Sequence, residues 1–218
     1  MRNLMLLAAL FSPLALAQAV IEVAPHGVMR LPTTASTLHI ERLRIAEHGT
    51  LLIPANLTEM RVAELHLGRD ARIAIAPAEQ AFRLEVASGE IASGAQISAR
   101  GARGTPQQPA LPGRTLSIRL QAVVAESLLL DARGGNGAPG YAGLDGADGQ
   151  AGGCTWGQAS RGHDGQNGGD GQEGAAGAQV RLELPVDFPA QVLQVRLDGG
   201  AGGLAGQAGQ GGRGGLSK

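Results

Sequence analysis

The sequence predicts an all-β fold: a β-solenoid of short strands, with Gly-x-x tracts inserted into it. Three observations lead there. Apolar residues recur two apart along 20–133, and no stretch keeps a helical period. The strand pattern repeats at about 22 residues. And 27 of the 35 glycines fall within 134–218, many of them every third residue. A tract this rich in glycine has few side chains to bury and a high ordering entropy. One ordinary globular domain is therefore excluded.

The elements follow in order. Residues 1–17 read as a signal peptide, with Arg2 ahead of an apolar stretch from Leu4 to Leu16 and Ala15-Leu16-Ala17 as the cleavage motif. The stretch is too short to span a bilayer, and no later run reaches membrane length. Essentially no helix is expected after it. Residues 18–133 form the β-repeat domain. Its pairs include Leu38/Ile40, Leu43/Ile45, Leu51/Ile53, Leu65/Leu67 and Ile73/Ile75. Leu43, Ile45, Gly49, Leu51 and Ile53 return 22 residues later as Leu65, Leu67, Ala71, Ile73 and Ile75. Later steps lengthen to 24, then 33 (Ile97 to Leu130), then 65 (Leu130 to Val195). Glycine-rich insertions leaving one corner of each coil explain that growth. An antiparallel β-sandwich of hairpins is the alternative, disfavoured because strong two-residue hairpin turns are few.

Residues 134–178 form a Gly-x-x hairpin with its tip at 153–162; 179–198 form the last β repeat; 199–218 form a C-terminal Gly-x-x tract. A period of three is that of the extended left-handed helix, whose glycines leave one bare edge. A polyglycine-II-type bundle within one chain, a collagen trimer and disorder all share this pattern. Equal run lengths and scarce proline favour the bundle. Off-period glycines (Gly153, Gly169, Gly199, Gly202, Gly211, Gly214) would bare a second edge for further neighbours.

The tip holds the single Cys and the single Trp. Cys154, Thr155, Trp156, Arg161 and His163 are the candidate binding residues, since an aromatic on a loop tip suits contact. Their alternative role is to cap the glycine bundle. Cys154 has no internal partner, which leaves a free thiol or an intermolecular link. The strand charges, among them Arg42, Arg44, His66, Arg83, Glu85, Arg119, Arg181 and Glu183, read first as a solvated face with cross-strand pairs. A sugar-binding face is the second reading.

Net charge is −1, with no basic block and five aromatic residues, so nucleic acid is not an expected partner. No G-x-S-x-G, H-E-x-x-H, zinc spacing or P-loop occurs. Asp170 lacks the apolar residue that a calcium β-roll motif needs two positions on. No catalytic residue, metal or cofactor is expected.

The stretch Asp131-Ala-Arg-Gly-Gly-Asn-Gly-Ala-Pro-Gly140, with the Gly-x-x runs after it, resembles bacterial exported proteins of the "collagen-like" kind, which set such tracts into β repeats. Glycine-rich ice-binding proteins and phage tail-tip adhesins have similar tracts. The resemblance implies a non-enzymatic structural or adhesive role in the periplasm, at the cell surface or outside. A surface glycan, a protein or a second copy joined through Cys154 is then the partner. A carbohydrate-active or carbohydrate-binding solenoid is the alternative.

Overall fold

The computed structural model describes residues 19–32, 34–153 and 157–214. Two six-stranded sheets share the strands in alternation. One holds β1 (Val20–Val23), β3 (Thr37–Ile45), β5 (Glu59–Leu67), β7 (Phe82–Ile91), β9 (Leu116–Ala125) and β11 (Val180–Glu183), in that order. The other runs β2 (Val28–Arg30), β4 (Thr50–Ile53), β6 (Arg72–Ile75), β8 (Ala95–Ser98), β10 (Leu128–Asp131) and β12 (Leu193–Arg196). Every strand pair among the described residues is parallel. The antiparallel sandwich is thereby set aside. The helical content of the described residues is one 3-10 turn, Ala190–Val192.

The register is the sequence repeat made physical. Leu43 pairs with Leu65, Ile73 with Ile97, Ile97 with Leu130 and Leu130 with Val195. Each apolar residue thus stacks on its equivalent in a column removed from water except at its edge, where Val195 is exposed, and that burial fixes register strongly. Leu43, Ile45, Leu51, Leu65, Leu67, Ile73, Ile97 and Leu130 are fully or almost fully buried. The long strands change face partway. In β3, Ile40 and Leu43 are both buried while Glu41 and Arg42 between them are exposed. The same slip recurs at Ala63-Glu64, Ala87-Ser88 and Gln121-Ala122. Each long strand thus buries two short runs.

One turn is repeated along the stack. His26, His48, Asp70 and Gly94 occupy it in succession, all with positive φ between 53° and 75°. Their amides donate up the stack, His26 to Glu47, His48 to Arg69 and Asp70 to Ser93. The rings of His26 and His48 stack at 4.8 Å. The sequence scatters these two histidines, and the turn brings them together.

Arg114 was hidden from sequence reasoning. It is fully buried beside the Phe82 ring, 5.5 Å from its centroid. Its guanidinium donates to the carbonyls of Gln80 (2.8 Å), Ala76 (3.3 Å) and Leu57 (2.8 Å). Desolvation lowers its pKa from the usual arginine value. One cation thus ties together the corners that precede β5 and β7. Arg114→Met keeps much of the volume but orphans the buried Leu57 carbonyl and removes the donor to the part-buried Ala76 and Gln80 carbonyls. It should destabilise the fold by about 3 kcal/mol, read from denaturant unfolding, since one unsatisfied buried acceptor costs about 1–3 kcal/mol. An unchanged midpoint would remove this role.

Candidate functional site

The three glycine-rich insertions start at one place. They follow β8, β10 and β12, which are neighbours in one sheet, so their exits lie side by side. Asp131, at the end of β10, anchors this corner. It is buried and receives two 2.9 Å bonds from the Arg133 guanidinium, with Arg100 at 3.8 Å. Burial alone would raise its pKa; hydrogen bonds and charge from Arg133, with Arg100, outweigh burial and hold it below the usual carboxylate value. The unfolded chain therefore takes up this proton first as pH falls. The contribution of Asp131 is present above its unfolded pKa of about 4 and is lost below it. The stability gap between parent and Asp131→Asn should close as pH is lowered from 6 towards 3. A gap independent of pH would contradict this.

Beyond that corner the tracts bond to one another with a period of three. Gly137, Gly140, Gly143, Gly146 and Gly149 donate to Ala201, Leu204, Gln207, Gln210 and Arg213. His163, Gln166, Gly169, Gln172 and Ala175 donate back to Ala147, Leu144, Tyr141, Ala138 and Gly135. Gly200, Gly203, Gly206, Gly209 and Gly212 donate to Ala175, Gln172, Gly169, Gln166 and His163. The outgoing, returning and C-terminal tracts thus form a closed cycle, in which each donates to one partner and accepts from the other. The shorter tract after β8 packs at the base, through Gly101 to Arg133 and Gly104 to Asn136, and turns back at the Thr105–Gln108 bridge.

The on-period glycines are required by close approach. A Cβ at Gly206 would collide with the Tyr141 carbonyl, and one at Gly168 with the Gly206 carbonyl. The off-period glycines differ from expectation. Gly169 makes room for the Tyr141 ring, whereas Gly199, Gly202 and Gly211 meet only contacts at 3.4–3.9 Å, and Gly153 and Gly214 meet nothing within 4 Å. The reason is the closed cycle: the shorter tract after β8 joins it only at the base, so further out no other tract of this chain among the described residues needs a second bare edge.

The tract carboxylates also have a role that spacing concealed. Asp145 accepts from the Gln210 amide (2.7 Å), Asp148 from Arg213 (2.6 Å) and the Asn136 side chain from Ala201 (3.1 Å). Each acceptor lies 65 residues before its donor, the offset already given by the strand repeat. Among the described residues no group of three or more His, Cys, Asp or Glu could hold a metal ion.

At the outer end Gly153 and Gly157 form an antiparallel bridge, and Ser160 donates to the Gln150 carbonyl. Cys154, Thr155 and Trp156 lie outside the described residues. Backbone pairing thus carries on past Arg161 into the expected 153–162 tip. Arg161 is exposed, with Asp164 at 4.0 Å. His163 joins the cycle through its backbone, accepting from Gly212, with its side chain exposed. Both residues sit on the paired shaft.

Comparison with protein-family models, curated proteins and solved structures finds no match. Among the described residues no helix is long and apolar enough to cross a membrane.

Two substitutions separate the two kinds of glycine. Gly206→Ala should speed tryptic cleavage at Arg161 and Arg213 by tenfold or more, because backbone on a neighbouring tract would have to move. Gly202→Ala should leave cleavage unchanged or slow it, by limiting the freedom of the unfolded chain. Equal effects would refute the assignment.

Proposed function

We propose that this chain is an exported, non-enzymatic structural or adhesive protein. In this reading the strands coil as a β-solenoid and the glycine tracts form a polyglycine-II-type bundle, a stiff spacer carrying the 154–156 tip. The observation that carries it is the closed cycle of backbone bonds, one per three residues between each pair of tracts. Such a cycle suits a rod and gives no reason for a catalytic cleft. Sixteen residues at a rise of about 3.1 Å would hold the tip roughly 50 Å from the sheets. The alternating strands and constant register support the solenoid. The cleavage motif at Ala15-Leu16-Ala17 supports export, and the likeness to exported "collagen-like" proteins supports the role.

The test uses the full chain expressed in a bacterium. The exported form should begin at Gln18, by N-terminal sequencing. Trp156→Ala should weaken its binding to whole cells or isolated cell-wall material at least tenfold, as loss of an aromatic anchor does. Retention in the cytoplasm would refute export. Unchanged binding by the variant would remove the tip from the reading.

A further inference from the structure

Two of the charged rows on the outer face of the first sheet are set side by side by register. One runs Glu59, Arg83, Ser117, Arg181; the next runs Arg61, Glu85, Arg119, Glu183. Along most of the sheet the charges pair off. Arg42 meets Glu64 at 2.8 Å, and Arg61 takes both Glu59 (2.6 Å) and Glu85 (3.3 Å). That double claim leaves Arg83 without an ion pair among the described residues. Further along, Arg119 and Arg181 share the single Glu183, at 3.5 and 3.4 Å. Three guanidiniums therefore surround Ser117 with one carboxylate that Arg61 does not claim. They line a shallow recess of about 260 Å³, completed by Glu85 and Glu183.

We propose that this recess binds a carboxylate of a uronate-containing polysaccharide. Glu183 shows the geometry in miniature, since two arginines already flank its carboxylate. A second carboxylate beside Arg83 would meet the remaining positive charge, and guanidinium forks match planar carboxylates. The Ser117 hydroxyl adds a donor and acceptor for a sugar hydroxyl. Neighbouring strands lie about 4.8 Å apart, so Arg83 and Arg181 flank Ser117 about 10 Å from one another at the backbone. Arginines repeated along a row suit a polymer with repeated charge. The lining holds only guanidinium, carboxylate and hydroxyl side chains, with no apolar pocket for a peptide anchor. The site is independent of the glycine tracts and of the export reading.

The test is affinity electrophoresis of the full chain in gels containing polygalacturonate, neutral dextran, dextran sulfate or polyglutamate. Polygalacturonate should retard the protein and neutral dextran should not. Arg83→Gln and Arg181→Gln, both at exposed positions, should each weaken binding about tenfold, the scale of one charged hydrogen bond. Glu183→Gln should strengthen it, because it frees two guanidiniums. Retardation should fall as salt rises. No retardation by polygalacturonate, or variants identical to the parent, would overturn the proposal. Stronger retardation by dextran sulfate would overturn the carboxylate assignment, and by polyglutamate the polysaccharide one.

Discussion

In-register parallel pairing is the constraint on which the rest of this structure depends. Because β8, β10 and β12 are neighbours paired without slippage, the segments after them leave from adjacent points at one corner. The tracts then need no long search to meet. A one-residue slip would turn Leu130 and Val195 to the opposite faces and misalign every later bond. The tract register inherits this arrangement. Gly137 donates to Ala201, and the Asp145 side chain accepts from Gln210, 65 residues on, the offset that also pairs Leu130 with Val195.

Two kinds of energetics meet at that corner. The sheets gain from burying columns of Leu and Ile, a term that scales with apolar area. The tracts bury little and rely on backbone hydrogen bonds, each modest in net worth. Their stability is therefore cooperative and sensitive to spacing, since a single Cβ on the inner edge separates two backbones. The buried Asp131, held by Arg133 and faced by Arg100, stands where the two regimes join.

Much of this was legible in the sequence, for a physical reason. Period-two burial and a fixed register leave the same residue types at the same offset, so steps of 22, 24, 33 and 65 reappear as strand pairs. The common corner was legible because Leu130-Asp-Ala-Arg-Gly repeats Ile97-Ser-Ala-Arg-Gly. Arg114 was not legible, since its partners are carbonyls, which every residue has. The caps from Asn136, Asp145 and Asp148 were not legible residue by residue, although the 65-residue offset would have found them. The off-period glycines misled because a second bare edge is useful only where a further tract lies alongside. The surplus of arginine around Ser117 was not legible, since it depends on Arg61 pairing with two carboxylates at once.

The glycine tracts form an ordered hydrogen-bonded element rather than a loose tail. Residue-resolved hydrogen exchange across 134–214 tests it most directly. Slow exchange is expected at the donating amides, Gly137, Gly140, Gly143 and Gly146 in one tract and Gly203, Gly206 and Gly209 in another, with faster exchange at the residues between them. Complete exchange of all these amides within seconds, with no period of three, would contradict it.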